Sequence, residues 1–262
     1  MRRLVLGLLF LCAVAVEAPR AQEGHFQRLD IAATARHWQA VGRLELAGRG
    51  FCTGTLVAPD LVVTAAHCLY DRETGMRLDP GRIAFRAGLR DGRAVAEARV
   101  ARAVAHPDYV FDAGASALRV RHDVALLELA RGIDMPGGQI FATGAAPRAG
   151  DRIGVVSYAR GRAEAPSLQN ACRVLARQEG MLVMSCDVDF GASGAPVFTL
   201  GHGGPRIVSV ISAMAEVEGR KVSLGMPLAG PLRMLRAAIE AGPGMVARPV
   251  LRRVTGAAQT RP

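Results

Sequence analysis

Three short stretches hold residues whose types can do chemistry together: His67 in TAAHC, Asp123 in HDVALLEL and Ser193 in DFGASGAPVF. Ser193 sits among Gly191, Ala192, Gly194 and Ala195, so nearly all side-chain bulk is stripped from around one hydroxyl. Such a hydroxyl attacks a carbonyl only if the substrate comes close and preset donors meet the oxyanion that develops. Glycine allows the torsions that aim amide N–H groups inward, and Gly191 and Ser193 are placed to supply two such donors. A base must take the hydroxyl proton, and His67 follows a β-branched run and precedes Cys68, where a crosslink would hold its orientation. A carboxylate at the mouth of a buried strand, the position of Asp123, can fix the imidazole tautomer and favour the imidazolium formed in the reaction. Taken singly, each stretch has a plainer reading: a structural histidine, a strand-capping aspartate, a glycine-rich turn. His122 reads as a surface residue rather than a second base.

The elements that must position these groups read as strands. TLVAP, LVVTAA, RIAFRAG, VARAVAH, DVALLELA, RIGVVSYA, APVFTL and RIVSVISAM are short Val-, Ile- and Leu-rich runs spaced by Gly, Pro, Asp and Arg turns. Such runs with little helical periodicity describe an all-β protein, built as barrels or a sandwich. The exception is AGPLRMLRAAIEAGPG, where Pro231 opens a helix, Leu232, Leu235 and Ile239 share a face, and Gly242 with Pro243 ends it.

The N-terminus carries Arg2 and Arg3, an apolar run from Leu4 to Val16, and small residues near Ala18 and Ala21. That pattern is a secretory leader over 1–21, too short to span a bilayer, and no later segment is a transmembrane candidate. The mature chain is therefore expected outside the cytoplasm, secreted or periplasmic. Residues 22–37 read as a short pro-segment or N-terminal extension, 38–241 as the folded body and 242–262 as a basic flexible tail. Cys12 falls in the leader, leaving Cys52, Cys68, Cys172 and Cys186, an even set that suits two disulfides. Cys172 and Cys186 are equidistant from Glu179 in a hairpin-like segment, which pairs them and leaves Cys52 for Cys68. With no close cysteine pair and no clustered histidines, no metal site is expected.

The formal net charge of +10 invites a nucleic-acid reading. Arg2, Arg3 and Arg20 against Glu17 belong to the leader, and Arg248, Arg252, Arg253 and Arg261 to the tail, so the body keeps only about +4. Lys221 is the only lysine and aromatic residues make up 5% of the chain, with no basic–aromatic interleaving of the kind that binds single strands. No specific nucleic-acid partner is expected, though the tail offers weak binding to acidic surfaces.

Read together, TAAHC, DVALLEL and GASGAPV, in the order His, Asp, Ser, resemble the trypsin-like, chymotrypsin-fold serine peptidases; HPDYV at 106–110 resembles the segment that precedes the family's aspartate. An α/β-hydrolase is disfavoured, since its elbow wants glycine where Ala195 stands and its triad order differs. The resemblance implies two six-stranded antiparallel β-barrels with a C-terminal helix, His67 as base, Asp123 as its orienting partner, Ser193 as nucleophile, and a Gly191/Ser193 oxyanion hole. It further implies a monomeric endopeptidase cleaving polypeptide substrates without metal or organic cofactor. Ala192 stands where activated trypsins keep an aspartate, so the chain looks closer to the bacterial glutamyl-endopeptidase-like branch, without a trypsin-style zymogen switch. The specificity pocket falls to Asp187, Val188, Ser212, Ala213 and Met214, with Asp189 competing, and leaves basic and small or apolar preferences both open. The alternative is a non-catalytic homologue kept as an extracytoplasmic binding module.

Overall fold

The computed structural model describes residues 26–29, 35–111, 116–135, 140–201 and 203–242. The expected leader (1–21) and the tail beyond Gly242 lie outside the described residues. Six strands close into an antiparallel barrel in the order β2 (Val41–Leu46), β3 (Phe51–Ala58), β4 (Leu61–Thr64), β7 (Ala125–Leu129), β6 (Ala96–Ala105) and β5 (Ile83–Ala87), which pairs back to β2. Closure leaves no free sheet edge, and Leu44, Leu56, Val62, Phe85, Leu126 and Leu127 fill the interior.

The second unit is a seven-stranded antiparallel sheet. It joins β1 (Gln27–Arg28), β9 (Arg162–Gln178), β10 (Met181–Met184), β13 (Arg220–Pro227), β12 (Gly204–Val217), β11 (Pro196–Gly201) and β8 (Arg152–Ala159). A further β9–β8 pairing returns this sheet on itself through six strands, with β1 outside the ring. Register shifts in β8, β10, β11 and β12 supply the bends that such curvature needs. β1 comes from the stretch assigned to a pro-segment or extension. Two residues carry no alternation to read, and they pair with Ser167 and Leu168 of β9 through backbone alone.

The hairpin of β9 and β10 turns at Glu179 and Gly180, both at positive φ, with Gln178 opposite Met181. A bulge between Val183 and Met184 shifts the pairing by one residue, so that Val174 faces Met184. Continued two residues outward, that register sets Cys172 against Cys186, which are bonded at a Cα–Cα distance of 4.9 Å.

The C-terminal helix, Ala229–Glu240, begins two residues before Pro231 and packs Leu232, Leu235 and Ile239 inward against β6 and β7. A second helix not legible in the sequence, Ala117–His122, is capped by Ser116 Oγ accepting from Arg119 N and ends where Asp123 begins. The two units meet over Trp38, Phe141 and Phe198, whose ring centroids lie 4.7–5.5 Å apart. The Tyr158 hydroxyl also crosses the seam to donate to Leu89 O.

Candidate active site

β4 runs Thr64 and Ala65 into a 3-10 turn, Ala66–Leu69, that carries His67 in a buried position. The Cys52–Cys68 disulfide, Cα–Cα 6.3 Å, ties that turn to β3. Asp123, fully buried, grips the same residue twice: Oδ1 accepts from the His67 backbone N–H at 2.8 Å and Oδ2 from His67 Nδ1 at 2.7 Å. Burial alone would raise the Asp123 pKa, but the His67 charge and the hydrogen bonds from His67 and Ser212 together hold it below the ordinary carboxylate range. An ionised carboxylate only accepts, so the proton of this bond lies on Nδ1, and Nε2 is the nitrogen left to exchange a proton.

The turn bearing Ser193 is seated against this assembly. Ser193 O accepts from Thr53 N at 2.9 Å, and Gly194 N donates to Ile211 O at 2.7 Å. Gly194 has φ +76, and a Cβ there would lie 2.1 Å from Thr64 Oγ1, 2.4 Å from Thr53 O and 2.8 Å from Ala65 N. Only glycine allows the nucleophile's turn to press so close to the strand end leading to His67. Gly191, at φ +98, lies against the Phe51 ring in the same way. Ala192 N donates to Asp189 O at 2.9 Å, whereas the Gly191 and Ser193 amides take no intramolecular acceptor among the described residues. The Ser193 hydroxyl has no hydrogen bond to His67 in this arrangement; such bonds tighten when substrate arrives.

Thr53, which no motif marks, is fully buried at the centre of the seam. Its hydroxyl donates to Gly191 O at 2.9 Å and accepts from Tyr158 N at 3.1 Å. Ser212 Oγ turns inward to donate to Asp123 Oδ2 at 2.5 Å, and neither Ser212 nor Ala213 is among the residues lining the cavity that holds Asp187 and Met214.

That cavity, about 500 Å³, is lined by Asp187, Val188, Asp189 and Met214, four of the residues weighed for the specificity pocket, together with Arg160, Arg162 and Lys221 from the loop before β9, from β9 and from β13. Arg162 donates to Ser157 O and Oγ and lies 3.9 Å over the Phe26 ring. Burial lowers its pKa, while Asp187 and Asp189 pull the other way. The cavity thus carries both signs of charge. Gln169 Oε1 accepts from Asp187 N at 3.0 Å and holds the pocket floor to β9.

His122 is half-buried rather than a plain surface residue. Its ring stacks on His106 with centroids 4.6 Å apart and planes 28° from parallel. Burial first, and the neighbouring His122 second, lower the His106 pKa.

Residues 52–204 match the family model described as a trypsin-like peptidase domain. A solved structure of a Glu endopeptidase in complex with MPD is similar in fold, with a TM-score of 0.65 and 20% identity over 83% of this chain and 98% of that one. No curated protein matches the chain in sequence.

Proposed function

The chain belongs to the trypsin-like peptidase domain family and is a hydrolase acting on polypeptides, and from that premise we propose that it is an extracytoplasmic serine endopeptidase with His67, Asp123 and Ser193 as its triad. The observation that carries this reading is the double grip of Asp123 on His67, beside a Ser193 turn pinned to Thr53. As Ser193 Oγ attacks the carbonyl carbon of the scissile bond, His67 Nε2 takes its proton, and Asp123 stabilises the resulting imidazolium. The Gly191 and Ser193 N–H groups donate hydrogen bonds to the carbonyl oxygen as negative charge develops on it. Collapse passes the proton from His67 to the leaving amine and leaves an acyl-enzyme, which water attacks by the same route in reverse.

Export is supported by the leader pattern and by the two disulfides. Among the described residues no helix is long and apolar enough to cross a membrane. The absence of a trypsin-style activation switch is supported at Ala192, which is fully buried and offers no carboxylate to a freed N-terminus. Fluorophosphonate labelling of the purified, disulfide-intact protein tests the triad. Labelling lost in both Ser193→Ala and His67→Ala is expected; no labelling of the folded wild type would instead favour a barrel kept for binding.

A further inference from the structure

The connection between β6 and β7 starts at His106 and ends at His122, and the fold brings these two residues together at its neck. His106 N donates to Val124 O at 2.9 Å, and Val124 N donates to His122 O at 2.8 Å, so the pair backs directly onto the strand entry that carries Asp123. Asp108 lies beside them, its side chain 71% exposed and Oδ2 4.0 Å from His106 Nδ1. One ligand atom from each of the three residues falls within 4.8 Å of the others. Among the described residues His122 Nδ1 is buried without a hydrogen-bond partner, a condition that a native fold seldom leaves unexplained. His106 Nδ1 accepts only from Asp108 N at 3.2 Å, at the long end of the useful range.

We propose that His106, Asp108 and His122 form a site for a divalent ion of the zinc class, which clips the neck of the β6–β7 connection behind Asp123. Two imidazoles and one carboxylate are the donors that borderline ions such as Zn2+ prefer over Mg2+ or Ca2+. Ligands of a tetrahedral zinc stand about 3.4 Å apart, given bonds of about 2.1 Å. The three donor atoms, all within 4.8 Å of one another, close by up to about 1.4 Å to meet that requirement. The exposed Asp108 carboxylate and a rotation of the two stacked rings, whose lone pairs lie in the ring planes, share that shift, and water takes the fourth position. The sulfurs of the other grouping, Cys52 and Cys68 around His67, are spent in their disulfide and are not ligands. Two residues from opposite ends of a long connection become one covalent-like clip, which lowers the entropy of opening that neck.

The experiment is calorimetric titration of ZnCl2 into metal-stripped, disulfide-intact wild type, His106→Gln, His122→Gln, Asp108→Asn and His67→Gln, with MgCl2 and CaCl2 as controls. Thermal unfolding of each metal-free variant checks folding, and Asp108→Asn alters an exposed side chain that the fold does not need. Expected are one equivalent of Zn2+ on wild type and on His67→Gln, a Zn2+-dependent rise in Tm, and no comparable uptake of Mg2+ or Ca2+. Loss of a ligand should weaken binding by no less than the roughly 10–100-fold that loss of a supporting partner costs. No uptake by wild type would overturn the proposal, as would uptake that follows His67 or persists unchanged in the His106, Asp108 and His122 variants.

Discussion

Gly194→Ala separates two costs that usually arrive together, torsion and space. Gly150, at φ +89 with nothing within 4 Å of a built Cβ, provides the control. There the left-handed torsion costs an alanine about 1–2 kcal/mol, and the stiffer unfolded chain returns about 0.4–1 kcal/mol. The net, about 1 kcal/mol, should lower Tm by about 2–4 °C in a domain of this size. Gly194, at φ +76, bears the same torsional cost, but its new methyl would stand 2.1 Å from Thr64 Oγ1 and 2.4 Å from Thr53 O. Ordinary contact begins near 3.5 Å, so the Ser193 turn must retreat by about an ångström.

That retreat endangers three bonds: Thr53 N to Ser193 O, Gly194 N to Ile211 O, and Thr64 Oγ1 to Thr53 O. Each buried group left unsatisfied costs about 1–3 kcal/mol, so at least about 3 kcal/mol is lost beyond torsion. The expected fall in Tm is about 10 °C, against about 3 °C for Gly150→Ala. Below that transition, a displacement of an ångström should slow fluorophosphonate labelling of Ser193 about 100-fold. Calorimetry and timed labelling on both variants decide the matter. A Gly194→Ala protein that melts with the Gly150→Ala control and labels at the wild-type rate would refute the claim that this turn is seated on Thr53 and Thr64.

Three other outcomes are expected. Ser212→Ala removes a hydrogen bond to a charged group, worth about 1.5–3 kcal/mol; kcat should fall about 10–100-fold with KM little changed, and an effect confined to KM would return Ser212 to the pocket wall. Arg162→Ser removes the cation facing Asp187 and Asp189, so a peptide library should show kcat/KM shifting at least about tenfold toward Arg and Lys before the cleaved bond; an unchanged profile would deny these acids a role in selection. Asp71 accepts from Thr74 N and Glu73 N and pairs with Arg49, and these contacts, the Thr74 bond foremost, hold its pKa below the ordinary carboxylate range. A carboxyl depressed on folding stabilises above its unfolded pKa and loses that contribution as pH falls through the folded one, so the Tm gap between wild type and Asp71→Asn should narrow on acidification; a gap independent of pH would count against it.

Much of the site was legible because its chemistry is local. Small residues around Ser193, a strand ending in His67 and an apolar strand beginning after Asp123 each leave a mark within ten residues of sequence. The Cys172–Cys186 pairing was legible by symmetry about Glu179, yet it holds only because a bulge at Val183 and Met184 corrects the register of a turn centred between Glu179 and Gly180. What stayed hidden is long-range. Ser212 reaches Asp123, Arg162 reaches the acids of the next hairpin, and His106 meets His122 only once the barrel closes. The first half of β9 hid for a different reason: Pro166 and the polar run SLQN interrupt its alternation, although all of Arg162–Gln178 is strand. The helix Ala117–His122 is too short for a periodic signal.

The division of labour between the two units explains why Thr53 lies where it does. His67 and Asp123 both come from the first barrel: two hydrogen bonds to one carboxylate lock them together, and the Cys52–Cys68 disulfide ties the His67 turn to β3. The second unit adds to their orientation through the Ser212 bond to Asp123. Ser193 comes from the second unit, and its distance from the base depends on the seam. Trp38, Phe141 and Phe198 fix that seam by apolar contact, which is strong but weakly directional. Direction comes from Thr53, whose backbone N–H takes Ser193 O and whose hydroxyl takes Gly191 O. One residue of the first barrel thereby sets both Ser193 and Gly191, the proposed nucleophile and oxyanion donor, and it stands next to Cys52, which anchors the turn of His67. The same short segment, Cys52 and Thr53, is the common reference from which both halves of the proposed triad are positioned.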